Sequence, residues 1–189
     1  MRKVLNILFV VVLAFGLVSP LVADAQKKPV AQMTETETRL GLHWGDEALG
    51  KKIYKKWSPL ATEIHDLHPS ISVSLILAFV HAESGGNKNA SNPSGAKGIL
   101  GLMPVAREQY KVTVWDDARD NMEGGVHLLA DLLVQFEGDL SYLAAAYLGG
   151  PNGQVKKQYK ARTYKWTGST ANYVKRVLAL HTLYGELAK

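Results

Sequence analysis

Ser72-Val73-Ser74-Leu75-Ile76-Leu77-Ala78-Phe79-Val80-His81-Ala82-Glu83-Ser84 decides the fold of this chain. Between Val73 and Ala82 the stretch is apolar on nearly every face, so it must be enclosed on all sides, either as a buried helix or as a central strand. It is longer than the roughly four to eight residues of an ordinary buried strand. Ser72 also stands where an N-cap belongs, and together these favour a helix. Glu83 closes that helix, and the polar, glycine-rich Gly85-Gly86-Asn87-Lys88-Asn89 follows. A carboxyl delivered by a hydrophobic helix to such a junction loses solvent, which penalises its charged form and raises its pKa. A general acid is made in that way.

Outward from this segment the periodicities are helical. Upstream, Leu49, Ile53 and Trp57 recur every four residues from Asp46 on. Ser58-Pro59 then reads as the restart of a helix, serine as N-cap and proline in the first turn, with Leu60, Ile64 and Leu67 on its buried side. Downstream, residues 87–98 are rich in Asn, Ser, Gly and Pro and read as a loop. Met122, Val126, Leu129, Leu133 and Phe136 step by four and three along an amphipathic helix that ends near Gly138. Leu140 to Leu148 is a short alanine-rich helix stopped by Gly149-Gly150-Pro151. A last helix begins near Thr170, buries Val174, Val177, Leu178 and His181, and stops at Gly185. No segment alternates with period two for long, and no Asn-Gly or Asp-Gly pair joins two β-branched runs. The expected fold class is all-α or mostly α.

With 189 residues, 47% of them apolar, the chain has the material for one domain with a real core. Residues 1–25 stand apart. Arg2 and Lys3 precede an apolar stretch from Leu5 to Val18, and Ala23-Asp24-Ala25 supplies small residues before Gln26, which reads as a secretory signal peptide cleaved after Ala25. The other reading is an uncleaved anchor, which the stretch of about 14 residues serves poorly against the roughly 20 of a spanning helix. Residues 26–42, with Lys27, Lys28, Pro29 and Thr34-Glu35-Thr36-Glu37-Thr38, read as a flexible linker, leaving 43–189 as the folded domain. No cysteine is present, so disulfides and thiolate metal sites are excluded. Loss of the leader removes Arg2, Lys3 and Asp24 and leaves 20 basic and 16 acidic residues, a net charge of +4. On an exported protein that charge suits an anionic envelope polymer at least as well as nucleic acid.

Several residue groups have competing readings. His65 and His68, three apart around Asp66, lack a third ligand at a metal-binding spacing, and a solvated face accounts for them. Asp116, Asp117, Asp120 and Glu123 gather at the start of a helix, where capping and the exposed amides explain negative charge. His81 lies two residues before Glu83, hence on another face of the helix, and reads as a core histidine. Lys156, Lys157, Lys160, Arg162 and Lys165 interleave with Tyr159, Tyr164 and Trp166 in the manner of a single-strand nucleic-acid groove. Export argues against that ligand, leaving a surface that stacks on sugars and meets peptide carboxylates, or a plain exposed loop.

Four ordered stretches carry a family resemblance: Glu83-Ser84; Asn92-Pro93-Ser94-Gly95-Ala96-Lys97-Gly98-Ile99-Leu100-Gly101-Leu102-Met103-Pro104; Ala145-Ala146-Tyr147-Leu148-Gly149-Gly150-Pro151; and Asn172-Tyr173-Val174. In order and spacing, from about Ile64 to Leu183 and including Asp116 to Asn121, they resemble the soluble lytic transglycosylases, relatives of goose-type lysozyme. The resemblance implies a lysozyme-like single domain acting on peptidoglycan glycan strands in the periplasm or cell envelope. It implies that Glu83 is the single acid and base at the bond between N-acetylmuramic acid and N-acetylglucosamine. Because the sugar's own C6 hydroxyl attacks, the second carboxylate of most glycosidases is not needed. By the same resemblance Tyr173 supports the acid by a hydrogen bond, Tyr147 shapes the cleft floor, Ser84 supports the loop or the sugar, and Leu100 and Met103 pack near the cleft. No metal or organic cofactor is expected, nor a nucleic-acid partner. A monomer is expected, and service to a secretion, conjugation or pilus apparatus is left open.

The chain departs from the family pattern at three places. Gly101 stands where the family's Gly-Leu-Met-Gln motif has its glutamine, Leu148 where Ala-Tyr-Asn has its asparagine, and Asn92 where many members have serine. Loss of two amides near the acid implies a changed glycan fit, a weaker enzyme, or a domain that binds glycan without cutting it. The magnitudes favour the first two: general acid catalysis is worth roughly 10²- to 10⁴-fold, whereas one hydrogen bond to a neutral group is worth on the order of 1 kcal/mol.

Overall fold

The structure is a computed structural model and describes residues 33–43 and 45–189. The expected leader, residues 1–25, lies outside the described residues. Among them are eight α-helices: α1 Glu35–Leu40, α2 Asp46–Leu67, α3 Val73–Ser84, α4 Pro104–Gln109, α5 Ala118–Gln135, α6 Leu140–Gly149, α7 Gln154–Lys160 and α8 Gly168–Leu187. No strand is formed among the described residues beyond isolated bridges joining Ser91 to Lys97 and Lys97 to Leu102. The all-α expectation holds.

α3 is the axis of the molecule. Ser72 caps it by accepting a hydrogen bond from the Leu75 amide, and every residue from Leu75 to His81 is buried. Gly85 ends it at φ 60°, the left-handed conformation in which its amide reaches back to the carbonyls of Val80 and His81. α8 packs most extensively against α3, with α2 on another side and α6 against α8. Each apolar side chain enclosed there contributes roughly 1.5–3 kcal/mol, which is what holds a helix with no polar face in place.

Four expectations are corrected. Ser58-Pro59 does not restart a helix, because α2 runs through Pro59 without a break. Its buried stripe is Asp46, Gly50, Ile53, Trp57, Ala61 and Ile64, so Ala61 continues the period and Leu67 is 64% exposed. Pro59 and Lys55, whose carbonyl loses its helical donor, are both exposed, so water can satisfy the orphan. Secondly, the expected linker is helical from Glu35 to Leu40. Thr34 and Glu37 form a reciprocal capping box, buried Glu37 also accepts from the Glu47 amide, and Leu42 joins the core. Residues 26–32 of that linker lie outside the described residues. Thirdly, the basic, aromatic stretch is not a plain loop. It contains α7, and Tyr142, Tyr159 and Trp166 pack edge to face with centroids 5.1 Å apart. α8 is also longer than its periodicity suggests and passes through Gly185, with Leu178 and His181 half-buried.

Candidate active site

Glu83 is the last residue but one of α3, so the most buried helix of the molecule delivers its carboxyl to an open pocket. That pocket is lined by Glu83, Ala90, Ser91, Asn92, Ala96 and Gly101, and the lining holds no second carboxylate. On the opposite side Tyr173, from the second turn of α8, donates its hydroxyl to Glu83 Oε1. Burial pushes the Glu83 pKa up to about 7, and the Tyr173 hydrogen bond and the positive charge of Arg176 only partly offset this. A carboxyl with that pKa is protonated in a large fraction of molecules at neutral pH yet gives up its proton readily.

The pocket wall is the loop between α3 and α4. Asn92 folds it locally: its side-chain oxygen accepts from the Ala96 amide at 3.0 Å and its own amide donates to the Ala96 carbonyl at 3.1 Å. Lys97 and Leu102 exchange both backbone hydrogen bonds, at 3.0 and 2.9 Å, pinching the turn Gly98-Ile99-Leu100-Gly101 between them. Gly101 sits at φ 59°, and a Cβ there would lie 2.7 Å from Glu83 Oε2. Absence of a side chain at 101 is therefore what lets the loop close directly on the acid.

Asn121, on α5, locks this turn from below. Fully buried, it accepts from the Leu100 amide at 2.9 Å and donates to the Lys97 carbonyl at 3.1 Å. Tyr147, on α6, donates to the Leu100 carbonyl at 2.5 Å and packs its ring on Phe79 with centroids 4.6 Å apart. Burial, and secondly the nearby Glu83, hold the Tyr147 hydroxyl neutral and available as a donor. The same two causes act on Tyr173.

Of the sequence candidates, the structure brings Glu83, Asn92, Leu100, Gly101, Tyr147 and Tyr173 together. Leu100 is fully buried and acts through its backbone, not its side chain. Ser84 turns back, donating to the Val80 carbonyl at 3.0 Å and accepting from the Gly86 amide at 3.1 Å, so it stiffens the helix end and leaves the pocket to its neighbours. Met103 and Leu148 are 37% and 41% exposed, and neither belongs to the pocket lining. His81 is a core residue as expected: Nδ1 lies 3.1 Å from the Tyr184 hydroxyl and Nε2 3.2 Å from Asp46 Oδ1. His65 Nδ1 meets the Ile71 carbonyl, His68 packs edge to face on His127, and no cluster fit for a metal occurs among the described residues. Asp117 caps α5 and Asp120 takes the amides of Thr113 and Val114, the structural roles expected of that acidic group.

Two residues escaped the sequence reading. Asn121 lies on the apolar stripe with Met122 and Gly125, and a polar residue on such a stripe is the signal that could have found it. Arg176, one turn beyond Tyr173, donates to Asp46 Oδ1 at 3.1 Å, and its positive charge acts on Glu83. It lies on the inward side of α8, between buried Val174 and Val177.

Two solved structures resemble this fold. An inactive mutant of the lytic transglycosylase Slt from Pseudomonas aeruginosa matches with a TM-score of 0.58 and 21% identity, over 69% of this chain and 24% of that one. The 70 kDa soluble lytic transglycosylase of Escherichia coli matches with a TM-score of 0.59 and 20% identity, over 81% of this chain and 30% of that one. The chain thus spans less than a third of the length of either protein. The family model of the transglycosylase SLT domain matches residues 63–167, which include the acid, its loop and Tyr147 and make up more than half of the chain. The chain belongs to the transglycosylase SLT domain family.

Proposed function

We propose that this chain is an exported lytic transglycosylase that cuts peptidoglycan glycan strands in the periplasm or cell envelope, with Glu83 as its single acid and base. The observation that carries the reading is a carboxyl with a pKa raised to about 7, alone in its pocket and held by a tyrosine hydroxyl. Protonated Glu83 gives its proton to the oxygen bridging N-acetylmuramic acid and N-acetylglucosamine as the bond from that oxygen to the anomeric carbon breaks. The resulting carboxylate takes the proton of the muramic C6 hydroxyl, whose oxygen bonds to the anomeric carbon. A 1,6-anhydro ring and a free sugar hydroxyl result, and Glu83 is again protonated. Tyr173 holds the carboxyl in place through both steps, and the lone carboxylate fits a reaction whose nucleophile belongs to the substrate.

The test is mass analysis of soluble products after the chain has been incubated with purified sacculi. Anhydro-muramic ends formed by the natural chain and absent with Glu83→Gln are expected. Reducing ends would instead identify a hydrolase. A second reading, a glycan-binding scaffold with a reduced cleft, rests on the side chain missing at Gly101 and on Leu148 lying outside the pocket. It requires binding to sacculi with no soluble product from either form.

A further inference from the structure

Tyr173 and Arg176 are three residues apart on α8, hence on one side of that helix, yet they serve different carboxyls. Tyr173 donates its hydroxyl to Glu83, while Arg176 donates to Asp46 Oδ1 at 3.1 Å. The carboxyls come from different helices, Glu83 from the end of α3 and Asp46 from the start of α2, and α2, α3 and α8 all pack against one another. Arg176 therefore has two acids within its field and pairs with one of them. Its guanidinium is only partly engaged: one terminal nitrogen binds Asp46, whereas Nε is buried with no partner. A buried cation with an idle donor would gain from a second carboxylate.

The choice of partner matters because the two carboxyls need opposite charge states. Glu83 must carry a proton to act as a general acid. A guanidinium paired directly with it would hold it as a carboxylate, since an opposite charge within about 4–6 Å lowers a carboxyl pKa by roughly 1–3 pH units. Asp46 is built to be the anion instead. Burial would raise its pKa, but His81, Arg176 and the His43 amide outweigh burial and hold it below the usual carboxylate value. His81 Nε2, 3.2 Å from Oδ1, and the His43 amide, 2.9 Å from Oδ2, fix that carboxylate in place. Tyr184 fixes His81 in turn, its hydroxyl 3.1 Å from Nδ1 and kept neutral by burial. The other titratable groups around the two acids are Tyr147 of α6 beside Glu83 and Glu37 of α1, whose carboxylate takes the Thr34 and Glu47 amides. The loop between α3 and α4 lines the pocket with Ala90, Ser91, Asn92, Ala96 and Gly101, all uncharged.

We infer that Asp46 is a positioning residue for the acid: by holding the Arg176 guanidinium it keeps that cation from pairing with Glu83, and so lets Glu83 keep its proton. The inference rests on the proposed function for the use of that proton. Held in this way, Arg176 offsets part of the effect of burial on Glu83 while its ion pair stays with Asp46. Released, it would turn to the one other carboxyl in its field and convert the acid to a carboxylate.

The test is titration of the Glu83 carboxyl carbon by NMR in the full chain, with the signal identified by its loss in Glu83→Gln. Neither glycan nor turnover is needed. Asp46→Asn should move the midpoint to lower pH by about one pH unit or more, as Arg176 turns to Glu83. Arg176→Met should move it to higher pH, and adding Asp46→Asn to Arg176→Met should change nothing further. A midpoint left in place or raised by Asp46→Asn overturns the inference. So does a fall of equal size with and without Arg176, which would mean that Asp46 acts on Glu83 directly by repulsion. The comparison made in the Arg176→Met background stands even where Asp46→Asn alone fails to fold, because the double variant leaves no cation without its partner. With sacculi, the alkaline fall of the pH–rate profile should follow the same order among the variants. A natural chain that cuts no glycan at any pH would sink the proposed function, and the titration would still decide the role of Asp46.

Discussion

At the scale of single residues, the site turns on what surrounds one carboxyl. Burial raises the Glu83 pKa to about 7, so the fold favours the neutral acid. A group whose folded pKa lies above its unfolded value adds stability that is complete below the unfolded pKa and lost as pH rises through the folded one. Above pH 7 the buried carboxylate is a burden, and Glu83→Gln is expected to stabilise the chain there by on the order of 1 kcal/mol while removing at least roughly 100-fold of turnover. Urea unfolding at pH 5 and pH 8 checks the first part, since the gain should appear only at the higher pH. Arg176 opposes burial by favouring the charged form. Arg176→Met should therefore move the alkaline fall of the pH–rate profile to higher pH, and a profile left in place would remove Arg176 from the site. Gly101 is the third determinant. Its φ of 59° is costly for a residue with a Cβ, by roughly 1–2 kcal/mol, and that Cβ would press on Glu83 Oε2. Gly101→Ala should cost about that much in urea unfolding and reduce the turnover of sacculi by more than its stability loss explains.

At the scale of elements, α2 shows why a local rule failed. Serine before proline is a sound helix start, yet the stripe Ile53, Trp57, Ala61 and Ile64 keeps its period across Pro59, and burial of that stripe outweighs one lost hydrogen bond. The proline remains a local cost on an exposed face. Pro59→Ala is expected to raise stability by about 1 kcal/mol or more, read from the denaturant midpoint at constant slope. α1 was hidden for the opposite reason. Its six residues are mostly polar, and only the capping box of Thr34 with Glu37 and the lodging of Leu42 in the core distinguish it from a linker.

At the scale of the molecule, Asp46 ties together the three helices around the site. From the first turn of α2 it faces His81 of α3 and Arg176 of α8, and its second oxygen accepts from the His43 amide at 2.9 Å. Burial alone would raise its pKa, but His81, Arg176 and the His43 amide together hold it below the usual carboxylate value. The sign is the reverse of that for Glu83: the stability is present above the unfolded pKa and fades as pH falls through the lower folded one. Asp46→Asn should cost about 2 kcal/mol at pH 7, less than for a fully enclosed pair because Arg176 is partly exposed, with the deficit shrinking below about pH 4. An equal deficit at pH 7 and pH 3 would show that shape, not charge, makes the tie.

The sequence by itself determined the helical class, the burial of Val73 to Ala82, the arrival of Glu83 at its end, and the motifs around Gly98, Tyr147 and Tyr173. These are statements about pattern within one segment, and hydrophobic period and capping chemistry are local. Only the tertiary structure decided that Gly101 touches the acid, that Leu100 serves through its backbone, that Ser84 faces away, and that Arg176 and Asn121 belong to the site. Each of these depends on where a side chain of one helix meets the loop or carboxyl of another. Contacts between residues far apart in sequence arise from packing, to which no single segment holds the key.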